Sequence, residues 1–239
     1  MRSANRPVWY WSHDIGWDQF GSLEWPGMRV VSLSGYGEPA RRRFAAVMHQ
    51  APAGADTAVV HLDPDGLAAR LRLSGERPVA IAATQSDSGL ILTVALESAG
   101  DSPVHVEVGH DVDGVRALLA ERRIDDLAAY PDGGSCRYAV LVGERTEPSW
   151  LVTADSPRGL ATQLRRLRAD AVRLRMVTDR GQDLLVALAR PTRRGLCAWY
   201  VGLDADGVGG RLERRHAYPV HLDAVRQERG VRYAVIMRR

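Results

Sequence analysis

Three short segments of the chain set an imidazole beside a carboxylate: Ser12-His13-Asp14, His61-Leu62-Asp63 and Gly109-His110-Asp111. Each follows a run of β-branched or aromatic residues, and apolar residues at helical spacing come after it, so the pair falls where a strand gives way to a helix. Unpaired backbone N–H groups and the positive end of the helix dipole gather at such a junction. Imidazoles among carboxylates there suit proton transfer or a metal ion. On that reading His61 and His110 are candidate catalytic groups, while His13, Asp14, His61, Asp63, His110 and Asp111 are candidate ligand contacts. Cys197 adds a thiol that would serve as a nucleophile if a base adjoined it, and none does in sequence.

A plainer chemistry covers the same aspartates. An aspartate just before a helix accepts hydrogen bonds from the first free N–H groups. Asp63-Pro64 and Asp155-Ser156-Pro157 add a proline, which forfeits no hydrogen bond in a first turn. Capping therefore accounts for Asp14, Asp63, Asp111, Asp155 and Asp204 without any ligand, and it is the preferred reading, with the histidines nearby in solvent. The Asp-x-Asp-Gly sequences at Asp63, Asp111 and Asp204 lack the further oxygen ligands of a calcium loop. No metal and no cofactor is expected. Cys136 and Cys197 form no zinc spacing, and the phosphate-loop, dinucleotide, HExxH and GxSxG fingerprints are missing. Trp9, Trp150 and Trp199 each stand five residues before the aspartate of their segment. Together they would make an aromatic box for a ligand, although tryptophans at matching strand positions more commonly fill core.

The elements that carry these residues recur along the whole chain. Asp14, Asp63, Asp111, Asp155 and Asp204 lie 44 to 49 residues apart, and Phe44, Leu92, Tyr138, Leu185 and Tyr233 advance in step. Such a period marks tandem repeats, approximately 5–51, 54–98, 101–146, 147–192 and 193–239, forming a single domain. Each repeat opens with a short strand such as Ala198 to Val201, then a short helix with, for example, Leu160, Leu164 and Leu167 on one face. A second run follows, as in Met28 to Leu33 or Ala171 to Val177, then a turn such as Pro131-Asp132-Gly133-Gly134. The last run, Leu90 to Leu96 or Leu184 to Ala189, is apolar almost throughout and predicts a strand covered on both faces. The unit reads βαββ: strands one and two parallel across the helix, strand three antiparallel as a hairpin partner.

Fifteen strands in one open sheet would leave edges to protect. The predicted fold class is therefore α/β, with five βαββ repeats closed into a five-bladed α/β propeller. The alternative is an open solenoid of the same repeats, which ordinarily has atypical terminal units. Here the first and last repeats are the most alike: Trp9-Tyr10 matches Trp199-Tyr200, and Arg43 to Met48 matches Arg232 to Met237.

Trp199 to Gly207 and Arg232 to Met237 resemble the short bacterial tandem repeats that also form the N-terminal region of polyglycine-hydrolase-like serine hydrolases. The resemblance runs over the whole chain and is clearest in repeats one, three and five. In that family a separate β-lactamase-like domain carries a Ser-x-x-Lys nucleophile. This chain has no lysine, so the resemblance implies a repeat array without the hydrolase. A looser similarity is to pentein-type propellers, five units of three strands and one helix whose enzymes use Cys, His and acidic residues around a central channel. His61-Leu62-Asp63 and Cys197 carry it, and His221-Leu222-Asp223 repeats the tripeptide inside a second strand, which favours coincidence.

All 32 basic residues are arginine, against 29 acidic ones, for a net charge of +3. Arg165, Arg166, Arg168, Arg173 and Arg175 cluster, yet acids are interspersed throughout, so a solvated face is expected and a nucleic-acid partner is not. No apolar run reaches membrane-spanning length and no signal-type stretch opens the sequence, which predicts a cytoplasmic protein without a membrane partner. The predicted function is a noncatalytic binding or interaction module that holds a small molecule, peptide or protein in the ring's central channel or at one ring end. The alternative is an enzyme of unassigned reaction on the strand-one-to-helix loops. The oligomeric state is left open, and a monomer is compatible with either.

Overall fold

The computed structural model describes residues 7–19, 26–51, 57–98, 104–192 and 197–239. The expected repeat starts at residues 5, 54, 101 and 193 lie outside them. The first unit contains β1 (Trp9–Ile15), β2 (Met28–Tyr36) and β3 (Arg43–Gln50). The second contains β4 (Thr57–Leu62), α1 (Pro64–Ser74), β5 (Arg77–Ser86) and β6 (Gly89–Glu97). The third contains β7 (His105–His110), α2 (Val112–Glu121), β8 (Arg123–Asp132) and β9 (Ser135–Gly143). The fourth contains β10 (Trp150–Ala154), α3 (Pro157–Leu167), β11 (Ala169–Asp179) and β12 (Gln182–Pro191). The fifth contains β13 (Cys197–Leu203), α4 (Ala205–Arg215), β14 (Tyr218–Gln227) and β15 (Gly230–Arg238). Among the described residues no helix is long and apolar enough to cross a membrane.

Every unit forms its own three-stranded antiparallel sheet in the spatial order one, three, two. The third strand is thus the middle one, and its apolar run is buried on both faces, as at Phe44 to Met48 or Val186 to Ala189. Strands two and three are a tight hairpin. At Gly133-Gly134 and Arg180-Gly181 both turn residues have positive φ, the backbone that matches strand twist in a two-residue turn. Strands one and two both run against strand three and so lie parallel to each other, separated by it.

One irregularity repeats in all five sheets. Pairing of the second strand with the third slips by one residue at Val31, Val79, Asp125, Val172 and Val220. A bulge bends its strand and re-aims the side chains beyond it. Beyond these bulges the second strands meet their neighbours: β2 packs on β5, β5 on β8, β8 on β11, β11 on β14, and β14 on β2. The core follows the same pairing. It consists of five apolar clusters that each draw on two units, among them Leu92 and Val94 with Ala139 and Leu141, and Leu174 and Ala187 with Ala234 and Ile236. The cluster of Val208, Leu212 and Val235 is completed by Tyr36, Ala45 and Val47 and joins the last unit to the first.

Where the second strands come together the filling is ionic. Arg175 is 3% exposed and Asp126 is fully buried, so neither charge is solvated. Arg175 Nε donates to Leu127 O at 2.7 Å, Nη1 to Leu33 O at 3.1 Å and to Asp223 Oδ1 at 3.0 Å. Its Nη2 donates to Ile81 O and to Asp126 Oδ1, both at 3.3 Å. One side chain on β11 therefore reaches β2, β5, β8 and β14. The carboxylates are saturated in turn: Asp126 accepts from Ile81 N at 3.1 Å, and Asp223 accepts from Met176 N and Ser34 Oγ, each at 2.8 Å. His221 Nε2 donates to Leu174 O at 2.9 Å, which leaves Nδ1 as acceptor for the Ser32 hydroxyl at 3.1 Å.

This corrects the expected solvated arginine face at Arg173 and Arg175, whereas Arg165, Arg166 and Arg168 are exposed. Arg173 and Arg175 alternate along β11 and so share one side of it, and that side is the one covered by β8 and β14. Removing one member of a buried ion set strands the others, which costs roughly 3–5 kcal/mol. Arg175→Met should therefore lower stability in urea unfolding by about that much, whereas Arg175→Met combined with Asp126→Asn and Asp223→Asn should recover part of the loss. Equal loss in the single and the triple variant would count against a charge-linked network.

Candidate functional site

In units two to five the strand-one junctions are, first of all, helix starts. Asp63, Asp111 and Asp204 each accept from the glycine N–H three residues on, at 2.6, 2.8 and 2.8 Å. In the fourth unit the cap is Ser156, which accepts from Gly159 N at 3.2 Å, while Asp155 accepts the Ser156 hydroxyl at 3.0 Å. Proline occupies the first helical position there, so the residue directly before Pro157 must be the cap, one place after the expected Asp155. Asp14, expected as a cap, lies instead within β1, with left-handed backbone, φ 60, and its carboxylate 3.7 Å from Arg43 Nε.

Strand one breaks register in units one, three and five, at Asp14, Gly109 and Gly202. Gly109 and Gly202 have φ 85 and 72, a region that side chains rarely enter. Units two and four pair without interruption, and these are the repeats whose sequence likeness is thinner. Two tyrosines at the end of strand two brace the break: Tyr36 Oη accepts from Asp14 N at 3.0 Å and Tyr130 Oη from Gly109 N at 2.9 Å. Neither tyrosine stood out in sequence, because each pairs with a backbone group about twenty residues away.

The three junction imidazoles sit in three different sheets, each with its own partners. His61 Nδ1 lies 3.0 Å from Thr93 Oγ1, its ring packs 4.0 Å from Trp17, and burial lowers its pKa to about 4. His110 Nε2 lies 3.1 Å from Glu107 Oε2, whose other oxygen is 3.0 Å from His105 Nε2. His13 stacks at 5.1 Å on Trp11 and meets Tyr233 edge-on at 6.0 Å. First strands lie across the sheet from the second strands through which neighbouring units meet. Trp9 packs against the cluster shared by units five and one, and Trp150 and Trp199 against the one shared by units four and five. Cys197 is half-buried with Sγ 3.9 Å from Ala171 O, and burial raises its pKa; burial pushes the Cys136 thiol up to about 11. Both shifts oppose thiolate formation. Among the described residues no three His, Cys, Asp or Glu side chains gather as a metal site.

Hollows among the described residues include one of about 290 Å³ at the strand-one junctions of units four and five, with Asp155, Pro157, Val201 and Gly202, one of about 370 Å³ around Cys197 and Trp199, and one beside Arg175. A cavity of about 360 Å³ is lined by all five bulge residues, Val31, Val79, Asp125, Val172 and Val220. Arg29, Arg77, Arg123, Arg173 and Arg190 stand around it with Glu97 and His49. The Arg175 network separates it from a smaller hollow of about 90 Å³, lined by Gly35, Ala83, Ala129 and Met176 farther along the same strands.

Each carboxylate of this mouth serves two arginines. Glu97 lies 3.8 Å from Arg29 and 3.5 Å from Arg77, and Asp125 lies 2.8 Å from Arg123 and 3.2 Å from Arg190. Asp126 likewise takes Arg173 at 3.0 Å as well as Arg175. His49 donates its Nε2–H to Pro219 O at 2.6 Å, and burial lowers its pKa, so it adds no charge near neutrality. Of these residues only Arg173 and Arg175 were singled out in sequence. The available signal was positional, since Arg29, Arg77 and Arg123 each stand two residues before the bulge of a second strand.

A family model described as polyglycine hydrolase-like, structural repeat, matches residues 18–51, a stretch that includes β2 and β3. The chain thus contains a repeat similar to those of that family, as Trp199 to Gly207 and Arg232 to Met237 suggested. Comparison with curated proteins gives no match.

The caps differ in a measurable way: Ser156→Ala should cost about 1 kcal/mol of stability and Asp155→Ala less, and the reverse order would reassign the cap. The buried imidazoles set a pH response. Below the ordinary histidine value of 6.5 the unfolded chain takes up protons, whereas His61 stays neutral until about pH 4 and fully buried His221 is held well below its usual range by desolvation and nearby Arg175. Stability from these groups is complete above pH 6.5 and declines as the pH falls towards 4, because the unfolded state binds more protons. Urea midpoints should fall across that window, and His61→Gln and His221→Asn should each flatten the slope. Unchanged slopes would mean the imidazoles are not held neutral.

Proposed function

We propose that the five units close on themselves as a five-bladed α/β propeller, and that the protein is a noncatalytic binding module whose ligand sits at the arginine-rimmed end of the ring. Closure is supported by the packing of β14 on β2, by the apolar cluster shared between the last and first units, and by the reach of Arg175 to every second strand. The observation that carries the binding reading is the cavity of about 360 Å³ bordered by one bulge from each unit, a volume in the range of small-molecule sites. The Arg175 network fills the middle, which favours a ring end over a through-channel. An enzyme on the strand-one loops has weaker support, since His61 and His110 stand in separate sheets and both thiols are shifted away from the thiolate.

Two measurements test this reading. A closed ring of this length should scatter X-rays with a radius of gyration near 18 Å, roughly that of any compact domain of its size, and an open stack would be clearly larger. Thermal-shift screening against anionic, neutral and cationic metabolites and short peptides should yield a ligand whose effect is abolished by the mouth-filling Val79→Trp. The same ligand should survive His61→Gln, His110→Gln and Cys197→Ser. A ligand sensitive to those three but not to Val79→Trp moves the site to the strand-one loops.

A further inference from the structure

The binding end just proposed has a definite electrostatic character, and, resting on that reading, we propose that its ligand is a small multivalent anion carrying carboxylate or phosphate groups. Five arginines face the cavity against two carboxylates, Glu97 and Asp125. Asp126 beneath and Glu147 at 3.7 Å from Arg190 offset part of the excess, and Arg175 on the far side of Asp126 restores some of it. Sharing is the decisive feature. Asp125 already meets Arg123 with both oxygens at 2.8 Å, but Glu97, divided between two guanidinium groups at longer range, satisfies neither fork, and a second carboxylate or a phosphate would supply the missing acceptors in the planar, two-point geometry arginine prefers.

The Glu97 pair shows the deficit most clearly. Its contacts at 3.8 and 3.5 Å to Arg29 and Arg77 are longer than charge-assisted hydrogen bonds of about 2.7–2.9 Å. Both arginines are partly exposed, with side-chain accessibilities of 41% and 33%, so their donors are open to a solute. Four bulge valines, Val31, Val79, Val172 and Val220, stand among the charges. Arg29 Nε is buried without an acceptor among the described residues, a cost to folding that stability alone does not explain. Arg173 forms a fixed floor because Asp126 holds it at 3.0 Å.

The test is calorimetric titration of the full-length protein with citrate and, separately, with inorganic phosphate, with spermidine as the cationic control. Citrate or phosphate should bind and spermidine should not, and the arm that binds more tightly decides between a polycarboxylate and a phosphate ligand. Affinity should fall when salt is raised from low levels to about 0.15 M. Arg29→Gln with Arg77→Gln should weaken binding about tenfold. Glu97→Gln should strengthen it severalfold by releasing both arginines, a gain that a merely damaged fold would not produce and that decides the matter if the double variant fails to fold. Val79→Trp should block the site. Anion binding indifferent to all of these variants, or spermidine binding in its place, overturns the assignment. If a neutral compound loses its thermal shift in Val79→Trp while neither anion binds, the binding end stands and the anion does not. If no compound responds to Val79→Trp, both readings fall. Single-stranded DNA binding without citrate or phosphate binding would also overturn it, by showing an extended polyanion surface.

Discussion

One guanidinium governs this structure. Arg175 has three nitrogens and uses them on acceptors from four other second strands, while its own strand supplies the fifth side. A buried charge of this kind is worth little when compared with apolar filling, and it is severe when left incomplete. It therefore acts as a specification more than as a source of stability: carbonyls of Leu33, Ile81 and Leu127 and carboxylates of Asp126 and Asp223 must all arrive at one point together. The repeated bulges are what bring them there, because without the extra residue the next side chains would face the opposite side of each sheet.

Stability itself comes from the five apolar clusters, and none of them belongs to a single unit. A lone unit would expose half of two clusters, as expected for repeats that contact only neighbours. The middle position of strand three suits this role: it offers two apolar faces, and the small residues Ala45, Ala95, Ala139, Ala187 and Ala234 let adjacent sheets approach closely. The mouth carries a different composition, valine at four of the five bulges, Asp125 at the other, and arginines around them.

Much of this was legible in the residue pattern. Runs such as Leu90 to Leu96 announced a strand buried on both sides, Asp63, Asp111 and Asp204 announced helix starts, and the aspartate ruler announced the five units. These signals are local, and each is readable within a few residues. The bulges were not legible, since a single extra residue in a β-rich run leaves the alternation ambiguous at that point. Nor was the role of Arg175. Its partners Asp126 and Asp223 lie 49 and 48 residues away, and nothing near Arg175 says whether its face of β11 meets water or another sheet. The candidate histidines were read from a real junction, but the spatial order one, three, two sets first strands and inter-unit strands on opposite sides of each sheet, and that order has no local signature.

Because a single side chain spans every unit, the number of copies is dictated by arm length. Tandem arrays elsewhere grow or shrink by unequal recombination with modest penalty, since each added module simply stacks on the previous one. In this chain a sixth module would push some acceptor beyond the grasp of the guanidinium, and a fourfold version would crowd it. A change in copy number would leave the buried charges incompletely paired, whereas divergence among the existing copies is compatible with the network. The contrast between Arg175 and its counterparts Ser34, Ala82, Ala128 and Asp223 at the same repeat position records that divergence.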